Sequence, residues 1–352
     1  VLGTSHREPL MRGSLVHLPL AHYYVRIQAQ QLGNDPEQWY PPQEALLVGA
    51  QGMRNEGCPL QDVTIEKCQR ALTEYSIHYG TEFDDGRTII AVEQPLRALL
   101  RRGADGRVEV VREDIALAQH GLSGPQDPRY KRPGDPVPFR RWLNNEPWDL
   151  YTQRVDLIYW KPMGYLDAQG QPVWHLVVSD HKTTSHVKKG AEGTVEAYSM
   201  HGQFWGLRHL SRLYWPELAT QNRISLEINL IGMPTEKKGT SFMRSPPTPA
   251  PHRESLHWQN VLDHYERLQQ YILQAADPAH WRTVWDFPAT GHEIGCMGRY
   301  GRCDAWELCQ TGPRGQAAFE ASRTITVAKR GPRKDKKPIA EPGGPVLALE
   351  TP

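Results

Sequence analysis

Two apolar runs joined by a polar turn limit the fold of this chain more than any other feature. Tyr151–Trp160 and Val173–Asp180 carry the β-branched and aromatic residues of strands, and Gly164–Pro172 between them supplies a turn. The spacing predicts a β-hairpin. Its second strand ends in Asp180-His181-Lys182. Residues two apart on a strand share a face, so Asp180 and Lys182 project together, and pairing brings Asp156 beside them. The apolar run Leu176–Val178 places this charged end on a buried strand, where geometry is rigid. Two carboxylates on one buried face are costly unless a cation neutralises them. A divalent ion that favours oxygen ligands, Mg²⁺ or Mn²⁺, meets that need. Such an ion polarises a phosphodiester and activates water. Lys182 is then placed to orient that water or to stabilise transition-state charge. An edge hairpin with a surface Asp–Lys pair is the plainer reading of the same residues.

Around the hairpin, apolar periodicity predicts helices over about 13–31, 64–79, 192–213 and 255–274. Strands are expected at Thr88–Glu93, ended by Pro95, at Val108–Val111 and at Ile224–Ile231. Pro41-Pro42 reads as a break after the first helix. Residues 121–149 and 233–254, with their Pro, Gly and Ser, read as surface loops.

The chain has 352 residues, ample for a sizeable core, and a formal net charge of +1, so any nucleic-acid surface must be local. Its 11 Trp and 14 Tyr serve both core packing and base stacking. Neither a transmembrane segment nor a signal peptide is read from the sequence, and a cytoplasmic, reducing setting is expected. Five cysteines, at 58, 68, 296, 303 and 309, make a poor disulfide framework. Cys296, Cys303 and Cys309 cluster, and three thiolates call for a fourth ligand around an iron–sulfur cluster or a structural zinc. The spacing lacks the C-x2-C knuckle usual in zinc ribbons. Core cysteines are the plainer reading, set against the poor core made by Gly295, Gly298, Gly301 and Arg302. The tail after about Val327 carries six Lys and Arg among Pro and Gly; it reads as a solvated tail, with a DNA-binding arm as the other option.

Gln-Arg-Val-Asp-Leu-Ile at 153–158, followed by Val-Val-Ser-Asp-His-Lys-Thr-Thr at 177–184, resembles the paired G-R-[IV]-D and D-[YHF]-K-T motifs of RecB-like nucleases. These belong to the PD-(D/E)XK superfamily, and the cysteine triplet resembles that of its RecB/Cas4-like branch. Gln153 stands where the family has Gly. Gly13-Ser14-Leu15-Val16-His17 resembles the early G-x-x-x-H motif, which carries a metal-ligand role to His17; a packing or capping histidine is the alternative. Glu93 ends a strand that resembles the one preceding the family's hairpin, where a Glu is common. Gln203 matches the Q-x-x-x-Y motif, but Leu207 replaces its Tyr, with Tyr198 or Trp205 as substitutes.

The resemblance implies an α/β fold with a restriction-endonuclease-like core: a central mixed β-sheet flanked by helices. It implies a domain over 1–312, a cysteine region at 287–312, and a disordered tail at 313–352. It implies hydrolysis of DNA phosphodiester bonds, with single-stranded ends as substrate and recombination or replication proteins as partners. His17, Asp156 and Asp180 would hold Mg²⁺ or Mn²⁺, with Lys182 and Gln203 completing the catalytic set. Cys296, Cys303 and Cys309 would bind a [4Fe–4S] cluster, zinc being the alternative. The fourth ligand is expected upstream of Val1, with Cys68 or Cys58 as replacements. A non-catalytic DNA-binding or assembly module, and a hydrolase of RNA or nucleotides, remain the other functional classes.

Overall fold

A computed structural model describes residues 8–55, 60–184, 195, 202–247, 256–276, 297–298 and 301–302. The chain divides into two units, Ser5–Thr283 and Val1–Thr4 with Val284–Pro352. In the second, strand Met297–Gly298 pairs antiparallel with Gly301–Arg302.

The larger unit is α/β, built on a mixed sheet of seven strands flanked by helices. In chain order the strands are β1 (Thr88–Arg102), β2 (Val108–Arg112), β3 (Arg140–Leu143), β4 (Glu146–Leu166), β5 (Pro172–Thr184), β6 (Ile224–Gly232) and β7 (Ser241–Ser245). Their order across the sheet is β2-β1-β4-β5-β6-β7, with β3 also on β4. Among the described strands of this sheet, only β5 and β6 run parallel. A parallel pair needs a crossover, and here the intervening chain includes α5 (Gly202–Tyr214) and α6 (Pro216–Thr220).

Alternation along β4 and β5 sends side chains to two separate cores. Leu157, Tyr159 and Val177 meet α1 (Glu8–Gln31), α2 (Pro42–Asn55) and α3 (Asp62–Tyr79), through Leu15, Leu20, Leu46, Leu72 and Tyr75. Ile158, Leu176 and Val178 meet α5 through Phe204, Leu207 and Leu210. A third cluster joins Leu99, Tyr130, Leu143 and Trp148 to Ala116 and Leu117 of α4 (Glu113–Gln119). The last described helix of this unit, α7 (His257–Ala276), is tied to β1 by Arg102, which pairs with Asp263 and Glu266. No helix among the described residues is long and apolar enough to cross a membrane.

Four local expectations are corrected. Pro41-Pro42 does not simply break the chain: Pro42 opens α2, because the first turn of a helix needs no proline N–H. Pro95 does not end β1, which continues to Arg102. At Pro95 only β4 pairs with it, since β2 joins from Ala98 onward, so no ladder bond on the open side requires its N–H. Part of 121–149 is core, with Tyr130 fully buried and a β3–β4 hairpin turned by Asn144 and Asn145. Both asparagines have positive φ, 49° and 66°, as a two-residue hairpin turn requires. The stretch 233–254 contains edge strand β7.

Candidate functional site

The ladders carry three carboxylates into one row. Pairs Val92–Leu157 and Gln94–Val155 put Glu93 opposite Asp156 across β1 and β4. Pair Leu157–Ser179 continues to Asp156 opposite Asp180 across β4 and β5. Directly opposed residues of antiparallel strands share a face. Glu93 takes φ 53°, unusual for a non-glycine residue inside a strand.

Each acid is held by identifiable groups. Asp156 Oδ2 accepts the backbone N–H of His181 at 2.6 Å and faces His17 Nδ1 at 3.6 Å. Asp180 Oδ1 accepts Gln203 Nε2 at 2.8 Å, and its Oδ2 lies 2.5 Å from Lys182 Nζ. Glu93 pairs with the largely exposed Arg154 at 3.6 Å. The helix α1 delivers His17, and its Gly13 packs near the end of β5, where a Cβ would make an ordinary contact with Thr183 Oγ1 at 3.6 Å.

Burial governs the charge state. It pushes Asp180 up to about 6; Lys182 opposes this and Asp156 adds to it. It raises Asp156 too, against the His181 N–H and Lys182. Glu93 is pushed up to about 7, by burial and then by Asp156. His17 is lowered by burial and by Lys182, which keeps its imidazole neutral and its nitrogen lone pair available at neutral pH. Carboxyls raised by burial, side by side with a specific charge partner, make this row a candidate functional site.

The helix α5 supports the row from one side. Gln153, where the resembled family has Gly, donates through Nε2 to the Gln203 carbonyl at 2.5 Å. Gly206 allows the close approach: a Cβ there would collide with the Tyr151 hydroxyl and the Gln153 amide oxygen. In the sequence Gln153 stood out only as a departure from the family's Gly, and Gly206 carried no assigned role; a Gly one helical turn beyond Gln203 was the available signal. Phe204 packs in the core with Lys182 Nζ 6.0 Å from its ring centre.

The structure thus brings together His17, Glu93, Asp156, Asp180, Lys182 and Gln203. Leu207 is buried in the core beneath α5, and Trp205 is buried as well. His22 packs its ring against Trp39 and Tyr40. Cys68 is fully buried on α3, its thiol pushed up to about 12 by burial. Tyr198, Cys58, Cys296, Cys303 and Cys309 lie outside the described residues, as does the tail 313–352. Among the described residues, no three His, Cys, Asp or Glu side chains are grouped closely enough to hold a metal ion by themselves. The chain matches no protein-family model, no curated protein and no solved structure.

Proposed function

We propose that this protein is a metal-dependent deoxyribonuclease of the PD-(D/E)XK superfamily, RecB/Cas4-like branch, acting as an exonuclease on single-stranded DNA ends. One observation carries the reading: buried Asp156 and Asp180 stand opposite each other on adjacent strands, with Lys182 Nζ 2.5 Å from Asp180. A surface Asp–Lys pair on an edge hairpin would be neither buried nor central; β5 lies between β4 and β6.

By donor type the set suits a small divalent cation, although as placed the three side chains do not close on one ion by themselves. Asp156, Asp180 and the neutral imidazole of His17 would hold it, as hard and borderline ligands of the kind Mg²⁺ or Mn²⁺ takes. Such an ion supplies Lewis-acid polarisation of the phosphodiester and a more acidic water. The chain's own groups do the rest. The His181 N–H and Gln203 amide fix one oxygen of each carboxylate. The Lys182 ammonium orients the attacking water and offsets negative charge developing on the phosphoryl oxygens. In this reading the sheet and its helices are a restriction-endonuclease-like core, and Cys296, Cys303 and Cys309 bind a [4Fe–4S] cluster, or else zinc.

The binding-module alternative draws on the absence of the motif's Tyr, whose place is taken by Leu207, packed in the core. The test is degradation of end-labelled single- and double-stranded DNA with Mg²⁺ or Mn²⁺, beside Asp180→Ala. Metal-dependent cleavage abolished by the substitution supports the reading. Absence of cleavage of DNA by folded, cluster-loaded protein overturns it, and an RNA and nucleotide panel run in parallel separates the remaining hydrolase class.

A further inference from the structure

Behind the carboxylate row, on the opposite face of β5, lies a second set of buried polar groups. His181 sits between Asp180 and Lys182, and alternation turns its ring toward α1 and α3. The ring stacks on Tyr24, with centres 5.5 Å apart and planes 9° from parallel. Its Nδ1 meets Asn229 Nδ2 at 2.8 Å, its register partner on β6. The same amide donates to the Tyr75 hydroxyl at 2.6 Å, and Tyr75 meets the Tyr24 hydroxyl at 2.5 Å. Arg244 of β7 donates to both hydroxyls, at 3.1 and 2.9 Å, and to Glu82 at 3.0 Å. Glu227 receives Ser179 at 2.9 Å and lies 3.8 Å from Arg244.

This set joins residues from α1, α3, the segment after α3, β5, β6 and β7. Its cost is large. Buried ionic and polar groups are frequently replaced by apolar ones with no loss of stability, so stability alone does not account for them. Nor is it an optimum of satisfaction: His181 Nε2 and Asn229 Oδ1 have no hydrogen-bond partner among the described residues. What it does fix is the backbone of β5 at one residue. That residue's N–H is the group that holds Asp156 Oδ2, and its two neighbours are Asp180 and Lys182.

We infer that His181 is a positioning residue, clamped by Asn229, Tyr75, Tyr24 and Arg244 so that its N–H and its two flanking side chains are held in the geometry that binds the divalent ion. The inference rests on the proposed metal-dependent activity and extends it to residues on the far face of the sheet. Groups that orient metal ligands in this way are worth about 10- to 100-fold in metal affinity.

The test is Mn²⁺ binding to the intact protein, read as loss of the free-ion electron paramagnetic resonance signal, with thermal unfolding in parallel. His181→Phe keeps a ring to stack on Tyr24 and removes the contact with Asn229. Tyr75→Phe is milder and removes only a hydroxyl, so it decides the matter if the first variant does not fold. Ile231→Val, in the same core but outside the polar set, controls for plain loss of stability. Asp180→Asn controls for the site. The expected result is Mn²⁺ affinity weakened about 10- to 100-fold in both network variants and unchanged in Ile231→Val, whatever the shifts in melting temperature. Folded network variants that bind Mn²⁺ as tightly as the wild type, beside an Asp180→Asn that does not, would overturn this inference and leave the nuclease reading intact. Wild-type protein that binds no Mn²⁺, or binds it no better than Asp180→Asn, would bring down both.

Discussion

Replacing Asp180 with Asn should make the metal-free protein more stable at neutral pH. Burial holds the folded-state carboxyl at about 6, against 3.8 for the free side chain. The side chain is 2% exposed, so solvent screening does not discount the effect. The difference is about 2 pH units, and each unit is worth about 1.4 kcal/mol, giving about 3 kcal/mol of destabilisation once the group is ionised in both states. The sign follows from proton binding. Between the two pKa values the folded state holds more protons than the unfolded one, so stability falls as pH rises through that window. The penalty is nearly absent below pH 3.8, about 1 kcal/mol at pH 4.5 and complete well above pH 6. Asn is close to isosteric, keeps an oxygen for Gln203 and cannot ionise. Removing its charge also lets the pKa values of Glu93 and His17 fall, since Asp180 raises both, and each change favours the variant more at pH 7.5 than at pH 4.5. The stability of Asp180→Asn relative to wild type should therefore rise by about 2 kcal/mol between pH 4.5 and pH 7.5, roughly 4 °C in melting temperature for a unit of this size. The assay is thermal unfolding in a chelator at both pH values. A difference that stays flat, or falls with pH, would refute the claim that Asp180 is ionised at a cost. Saturating Mn²⁺ should reverse the order, since an ion bound at 100 times its Kd adds about 3 kcal/mol to the wild type alone.

Four further outcomes are expected. Lys182→Ala should lower single-turnover cleavage of end-labelled DNA by about 100-fold or more while Mn²⁺ binding persists; an unchanged rate removes Lys182 from the chemistry. Gln203→Leu should weaken Mn²⁺ binding by about tenfold through loss of its bond to Asp180, read in the same titration. Leu207→Tyr, which restores the aromatic of the resembled motif, should overpack the core and cost about 1–3 kcal/mol in thermal unfolding; a gain in both stability and cleavage would contradict its buried position. Protein purified anaerobically should carry iron and the visible absorption of an iron–sulfur cluster, both lost in Cys303→Ser, whereas zinc in place of iron refutes the cluster.

How much was legible in the sequence depended on the range over which each signal acts. The β4–β5 hairpin and helices α1, α3 and α7 were readable because alternation and helical periodicity are local, and the opposition of Asp156 and Asp180 follows from the hairpin register. The extension of β1 through Pro95 was not readable, since a proline ends or spares a strand according to whether a neighbour pairs there, and β2 begins only at Ala98. Helix α2 was hidden by the same residue type, with Pro42 starting an element it was expected to interrupt. The place of Gln153 emerged only when α5 packed down, at Gly206, onto the strand that carries it. The set around His181 left no trace at all, because Tyr24, Tyr75, Glu82, Glu227 and Arg244 meet only in the folded chain.

The two faces of β5 present the same problem and answer it differently. Both bury ionisable groups, and burial penalises charge on either side. On the His181 face the acids are matched: Glu82 and Glu227 meet Arg244, and Glu82 also meets Arg87. Among the described residues, the three acids in a row on the Asp180 face have ion pairs with one half-buried ammonium, Lys182, and one guanidinium, Arg154, whose side chain is 68% exposed and contributes little through solvent. His17 does not make up the difference, since it is held neutral. Under the proposed function a bound divalent ion would supply the positive charge this row lacks among the described residues, so metal removal and the Asp180 substitution should act on the same term in stability.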